Sequence, residues 1–338
     1  MDQIIKLLRE HDQFVIAGHI GPDEDTIGSC FALAMALGKM GKKVAVVLES
    51  FAAKHQIIPG WEYLYRGTEP LPTGVFVALD CADVERLGPA RAFFEKATIT
   101  VCIDHHETNE GFADYNFIDK NASSTAEMIF WVIDALTEID TRIATAIYAG
   151  IVTDTGGFRH VSTGSSTMAV AARLMETGIP FTDIYSEVLH RHSFAAAKAF
   201  GLALGVCDTA MDGRIVYAYV TKEMLSSVGA DSSELDSVVD YLMSTRGAEV
   251  ALFLYERYQH GKNADIPETP SEPSSSEKQK KIKVSMRSRG LHVGRIAASL
   301  GGGGHKLAAG CSLPGAMDAV LKQVLEAVER EFSTCPST

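Results

Sequence analysis

An acid and two adjacent histidines, Asp104, His105 and His106, close the alternating apolar run TITVCIDHH at residues 98–106. Neighbouring side chains leave an extended backbone on opposite sides, so these three cannot all address one target without a turn. Similar groups follow two other apolar runs. FVIAGHIGPDEDTIGS carries His19, Asp23 and Asp25, and VFVALD ends in Asp80. Asp154, in GIVTDTGGF, comes in from the end of a helical run. Any one of these acids is explained by turn and capping chemistry, in which Asp is common. The set is not, because three strand-like runs each deliver an acid and two of them also deliver histidine.

Four carboxylates and two imidazoles gathered in one place would repel strongly, and some acids would have to keep their protons. A divalent cation removes the conflict. All-oxygen sites suit magnesium or calcium and sulfur-rich sites suit zinc, whereas mixed carboxylate and imidazole favours manganese, with magnesium or cobalt as alternatives. More than four ligands points to two ions, the arrangement that clamps in-line displacement at phosphorus.

The elements that must position these groups alternate between strand and helix. FVIAGH (14–19), VAVVL (44–48), VFVALD (75–80) and TITVCID (98–104) read as strands, and TIGSCFALAMALGKMG (26–41) as a helix stopped by Gly41. Further helices are expected over 123–137, 141–155 and 165–178. The pattern is that of an α/β fold, a parallel sheet with crossover helices, whose strand ends converge on one rim. The expected first domain spans 1–185, followed by a connecting helix over 186–205. A smaller mixed-sheet α/β domain over 206–335 is expected from strands at 214–221, 248–258 and 281–288 and helices near 231–245, 291–300 and 315–332. A cleft between the domains is expected. The stretch GKNADIPETPSEPSSSEKQK is rich in Pro, Ser and Glu, and 262–280 reads as a mobile insertion.

The 338 residues, 46% apolar and 22% charged, suit a globular chain of two ordinary domains. No leader is apparent, and apolar segments such as FALAMAL are far too short to cross a bilayer, so a cytoplasmic protein without membrane association is expected. Six scattered cysteines form no C-x-x-C pair and suggest neither a disulfide framework nor structural zinc. The net charge is −12, yet eight of the 31 Lys and Arg lie between Lys278 and Lys306 without one acid. A basic carboxy-terminal patch beside an acidic amino-terminal site fits metal-assisted chemistry on an anion.

Within that basic patch, four consecutive glycines, Gly301 to Gly304, precede His305. A flexible connector is the plain reading of such a run. Glycines also let backbone N–H groups approach a phosphate, and a helix beginning there would add its positive end. Arg287 and Arg289 can pair with phosphate bidentately, against the alternative of a charged strand edge. Lys306 and Arg159 are further candidates. Nothing reads as the long aromatic and basic groove of a processive nuclease, so a long nucleic acid is not an expected partner.

In this order, HIGPDEDTIGS, LDCAD, DHH and TDTGGF resemble the four motifs of the DHH phosphoesterases, and GGGGHKLAAG resembles the signature of their associated second domain. The resemblance runs from about residue 5 to 330 and is similar in compactness to the oligoribonuclease (nano-RNase) and pAp phosphatase group. It implies His19, Asp23 and Asp80 as ligands of one metal, and Asp25, Asp80, His105 and Asp154 as ligands of the other, with Asp80 bridging. Asp104 would steady the site from behind and His106 would face the scissile phosphate. Arg287, Gly302, Gly303, Gly304, His305 and Arg159 would hold substrate. Glu24 departs from a usual small residue and is expected to add negative charge beside the site. The implied activity is metal-dependent hydrolysis of very short RNA or of pAp by a two-metal-activated hydroxide. Alternatives are a phosphodiesterase for linear or cyclic dinucleotides, a family II-type pyrophosphatase, or an inactive nucleotide-binding regulator. A homodimer is also considered.

Overall fold

The computed structural model describes residues 1–49, 53–67, 71, 74–190, 193–231, 235, 237–258 and 280–334. The stretch read as a mobile insertion lies almost wholly outside them. The chain divides into two compact units, Met1–Arg191 and His192–Thr338.

The first unit runs α1 (Asp2–Glu10), β1 (Gln13–Ala17), α2 (Glu24–Lys39), β2 (Lys43–Val47), β3 (Val75–Leu79), α3 (Arg91–Phe94), β4 (Ile99–Asp104), β5 (Tyr115–Ile118), α4 (Thr125–Asp134), α5 (Thr141–Asp154), α6 (Ser165–Glu176) and α7 (Phe181–Leu189). Its five strands form a wholly parallel sheet in the order β2-β1-β3-β4-β5. A parallel sheet covered on both faces needs apolar residues at every position, which is why VFVAL is buried throughout. Phe14 and Ile16 join the larger core with α2, α4 and α5, while Val15 and Ala17 join Phe76, Ala78 and Cys102 in a smaller one. β5, with only Phe117 and Ile118 partly covered, was not evident in the sequence.

The core helices approach one another through glycine. A Cβ on Gly28 of α2 would stand 2.3 Å from the Ala146 carbonyl oxygen of α5. One on Gly150 of α5 would stand 2.7 Å from Asp25 Oδ1 and from Ala126 Cβ of α4. Backbone therefore packs on backbone, and the first turn of α2 is drawn against the last turns of α5.

The second unit runs α8 (Phe194–Gly205), β6 (Asp208–Ala210), β7 (Ile215–Val220), α9 (Lys222–Val228), α10 (Ser237–Met243), β8 (Val250–Tyr258), β9 (Lys280–Ser288), α11 (Val293–Ser299), β10 (Gly303–Gly304), β11 (Ala308–Pro314) and α12 (Met317–Thr334). The sheet order is β10-β11-β9-β8-β7-β6, mixed because only β7 and β8 pair in parallel. Alternation along β8 sends Val250, Leu252 and Leu254 to a core with α11 and α12, and Ala251, Phe253 and Tyr255 to one with α8, α9 and α10. Where one connecting helix was expected over 186–205, two occur, because α7 stops at Leu189 and Ser193 caps a new start by accepting from the Ala196 amide. Among the described residues no helix is long and apolar enough to cross a membrane.

Gly28→Ala is expected to cost about 1–3 kcal/mol through overpacking against a carbonyl. Gly201→Ala, on α8 with nothing within 4 Å of the added methyl, is expected to be neutral or slightly stabilising. Urea unfolding of the two variants distinguishes these outcomes.

Candidate metal centre

The acids and histidines from the ends of β1, β3 and β4 meet those of α2 and α5. His19 is 7% exposed and donates from Nδ1 to the carbonyl of its neighbour Ile20 over 2.9 Å. That bond leaves Nε2 as the free ring nitrogen, 3.5 Å from Asp80 Oδ2 and 3.9 Å from Asp23 Oδ2. Asp23 is the N-cap of α2, accepting from the Thr26 amide at 3.0 Å through Oδ1. Asp25 lies inside the first turn of α2 and not in the preceding loop, because capping by Asp23 starts the helix at Glu24. It is wholly buried, and its two oxygens accept the Thr125 and Ala126 amides, each at 2.8 Å. These amides open α4, so a buried carboxylate sits where a helix offers unpaired N–H groups and its positive end.

Asp80 holds φ at 55°, a left-handed conformation that costs a non-glycine residue about 1–3 kcal/mol. Thr26 donates its hydroxyl to Asp80 Oδ2 at 2.6 Å and Thr125 donates its own to Oδ1 at 3.1 Å. His105 Nε2 is 3.1 Å from Asp154 Oδ2 and 3.7 Å from Asp80 Oδ1. Asp154 ends α5, where its carbonyl accepts from His160 Nδ1 at 2.9 Å. Among the described residues, His19, Asp23 and Asp80 form one group whose ligating atoms all lie within 4.8 Å of one another, and Asp25, His105 and Asp154 form a second. Asp80, His105 and His106 form a third group that joins them. Imidazole and carboxylate donors in two groups, linked through Asp80 and His105, fit two divalent ions.

Without an ion the charges are strained in the expected directions. Burial, then Asp80 and Asp154, push Asp23 up to about 6. The same causes push Asp25 well up, against His105. Burial opposes a charge on His105, but Asp154, Asp25 and Asp80 outweigh it and raise the ring to about 10. Burial also disfavours the Asp80 charge, and His19, His105 and His106 overcome it, holding that carboxyl well below the usual range.

His106 is arranged differently from its neighbour. Its Nδ1 donates to Asp104 Oδ1 at 2.7 Å, and Asp104 is fully buried. Asn109, 2% exposed, holds the other oxygen by donating from Nδ2 to Asp104 Oδ2 at 2.7 Å, and also reaches the Cys81 carbonyl at 3.0 Å. The bond from Asp104, against the opposing effect of burial, raises the His106 pKa. Asn109 was not singled out in the sequence. Neither were Thr26, Thr125 and His160, although both threonines stand beside acids or serines at helix starts. Glu24, expected to add charge at the site, is buried elsewhere, with Oε1 3.5 Å from His55 Nε2.

The remaining candidates fall at separate places. Arg159 is exposed on the turn after Asp154, outside the ligand groups. In the second unit Arg287 on β9 faces Ala308 of β11, whose carbonyl accepts the His305 amide at 2.7 Å, so Arg287 and the glycine loop share one end of the sheet. Arg287 Nε donates to Asp240 at 2.8 Å. Arg289 is committed to structure, donating to the carbonyls of Ala248 and Met243. No helix begins at the glycine loop. β10 pairs there with β11, and the helix start that packs against the loop is that of α11, whose Val293 amide donates to the Lys306 carbonyl at 2.9 Å.

Ion-free protein provides one test. Asp23 raised to about 6 favours folding fully below its unfolded value near 3.8, and this contribution is lost as pH rises through 6. Removing the charge should therefore help at high pH. Ion-free Asp23→Asn is expected to be more stable than the parent at pH 8, on the order of 1 kcal/mol because the 45% exposed side chain is partly screened, with the gain vanishing toward pH 4. Saturating Mn2+ should invert the order, and thermal unfolding with and without the ion reads both effects.

The glycine loop provides another. A Cβ at Gly302 would stand 2.2 Å from the Gly310 oxygen, and one at Gly304 2.5 Å from Ala309 Cα, whereas Gly303 has nothing within 4 Å. Alanine at 302 or 304 is expected to cost about 1–3 kcal/mol, and at 303 within about 0.5 kcal/mol of nothing, in thermal melts.

Comparison with known proteins agrees with this geometry. Residues 13–151 match the DHH family, N-terminal domain, and residues 212–334 match the DHHA1 domain. The bifunctional oligoribonuclease and PAP phosphatase NrnA of Thermus thermophilus is 32% identical over 324 residues, covering 94% of this chain and 90% of that protein. An exopolyphosphatase-related protein from Bacteroides fragilis superposes with a TM-score of 0.83 at 25% identity, covering 97% of this chain and 95% of the other. RecJ of Thermus thermophilus in complex with Mn2+ shares the fold at a TM-score of 0.57 and 13% identity, over 99% of this chain and 54% of RecJ. With both halves matched in order and the motif residues drawn into shared ligand groups, the chain belongs to the DHH family of phosphoesterases and carries a DHHA1 domain as its second half.

Proposed function

We propose that this chain hydrolyses the phosphodiesters of very short oligoribonucleotides, releasing mononucleotides, and removes the terminal phosphate of pAp, using two divalent ions of which Mn2+ is the best fit. The observation that carries this reading is the pair of ligand groups sharing one neighbourhood at Asp80, beside a histidine that is not needed to complete either. His19, Asp23 and Asp80 would hold one ion, and Asp25, Asp80, His105 and Asp154 the other. When bound, such ions supply Lewis acidity and a hydroxide nucleophile at neutral pH.

The chain's own residues supply the rest. Asp104 fixes the tautomer of His106 by accepting a hydrogen bond from Nδ1–H, which leaves Nε2 as the atom that would meet the phosphate or, in the imidazolium, protonate the departing oxygen. The Asp104 carboxylate also favours the imidazolium, raising the His106 pKa against the opposing effect of burial. Arg287 and the backbone of the Gly303 loop are proposed to hold the remainder of the substrate by its phosphate and nucleoside. Asp240, bonded to Arg287 Nε, keeps that guanidinium in one orientation. A cytoplasmic setting accords with free thiols at Cys30, Cys81, Cys102, Cys207 and Cys311.

The direct test is a product-resolved assay with Mn2+ on RNAs of two to five residues, pAp, linear dinucleotides and pyrophosphate. Mononucleotide release from the short RNAs and phosphate from pAp are expected, and inactivity on both overturns the reading. His106→Asn is expected to lower kcat by about 10²–10⁴-fold while retaining the Mn2+-induced rise in melting temperature. His105→Asn should lose that rise. If both variants lose it equally, the two histidines do not divide ligand and proton-transfer roles.

A further inference from the structure

Thr26 and Thr125 are matched in a way that the ligand set does not require. The Thr26 amide donates to Asp23 Oδ1 at 3.0 Å, and its hydroxyl donates to Asp80 Oδ2 at 2.6 Å. The Thr125 amide donates to Asp25 Oδ2 at 2.8 Å, and its hydroxyl donates to Asp80 Oδ1 at 3.1 Å. Each threonine thus ties a carboxylate of one ligand group to one oxygen of Asp80. Each stands in the first turn of a helix, α2 for Thr26 and α4 for Thr125, and both are wholly buried.

The histidines follow the same division. Asp80 Oδ2, the oxygen held by Thr26, is the one 3.5 Å from His19. Asp80 Oδ1, the oxygen held by Thr125, is the one 3.7 Å from His105. A carboxylate free to rotate about its last bond would exchange these oxygens, and a single hydroxyl would fix only one edge. Two hydroxyls from opposite sides fix its plane.

We propose that Thr26 and Thr125 are positioning residues that assign one oxygen of Asp80 to each ion, Thr26 serving the His19–Asp23 group and Thr125 the Asp25–His105–Asp154 group. The proposal rests on the two-ion reading above. Partners behind metal ligands commonly change affinity by 10–100-fold when lost. Here the loss should be confined to the ion on the side of the missing hydroxyl.

Thr→Val keeps the shape and the backbone amide but removes the hydroxyl, and Thr→Ser keeps both donors. Mn2+ binding is measured by titration calorimetry, with electron paramagnetic resonance to separate an exchange-coupled pair of ions from an isolated one. Parent, Thr26→Ser and Thr125→Ser are expected to bind two Mn2+ and give the coupled signal. Thr26→Val and Thr125→Val should each retain one affinity and weaken the other by 10–100-fold. At Mn2+ concentrations between the two affinities, each valine variant should give the isolated signal.

The side of the loss is read by combination with Asp23→Asn, which removes a ligand of the first group alone. Thr26→Val added to Asp23→Asn should leave the surviving affinity unchanged, whereas Thr125→Val added to it should lower that affinity. If a valine variant does not fold, Thr→Ala gives the same readout. Valine and alanine variants that bind two Mn2+ as tightly as a two-ion parent overturn the proposal alone. Equal weakening of both ions by either threonine overturns the one-to-one assignment. A parent that binds fewer than two Mn2+ removes the two-ion reading and the proposal with it.

Discussion

Negative charge held close together in a buried place is the constraint on which the first unit depends. Asp25 and Asp80 are almost wholly removed from water, and Asp23 and Asp154 stand beside them. Each buried carboxylate is met by donors fixed in the fold: the opening amides of α4 on Asp25, two hydroxyls on Asp80, and an amide of α2 on Asp23. These donors are in place only because helix starts are brought to the acids, and Gly28 and Gly150 permit that closeness. Asp154 is the exception in its surroundings. It sits at the carboxyl end of α5, where the helix dipole is itself negative, and the group that opposes its charge is His105.

Much of this was legible in the sequence, because chemistry and strand endings coincide in it. Buried parallel strands read as continuous apolar runs, and an acid or histidine directly after such a run has little freedom in where it goes. Asp80, Asp104 and His105 are cases of this kind. What could not be read is whatever depends on pairing distant segments. Asp25 meets α4 a hundred residues later, and no local pattern ties DED to SSTA. Asn109 follows the histidines by only three residues, yet its role needs the Cys81 carbonyl from another strand end. Short edge strands were missed for a related reason, since β5 and β10 have too few residues for alternation to register.

The second unit shows how one composition can hide two uses. Arg287 and Arg289 are equivalent by type and spacing, and the sheet separates them. One points its guanidinium at an acid on α10, while the other donates to the carbonyl of Met243 at the end of the same helix and to that of Ala248 before β8. The glycine run divides likewise. Gly302 and Gly304 are where β11 leaves no room for a side chain, and Gly303 is not. The entropy lost in ordering four glycines is therefore partly a requirement of sheet closure and only partly available to a ligand.

The left-handed backbone at Asp80 has a consequence for how this fold decays. Gly, Asn and Asp adopt that conformation more readily than other residues, while Ala, Val or Leu would bear the strain without the hydroxyl bonds that offset it. A lineage that abandons ion-dependent hydrolysis but keeps the scaffold for binding alone would therefore pass most easily through Asn or Gly at this position. Either residue after an otherwise intact VFVAL strand would mark a descendant that had retired from catalysis and stayed folded.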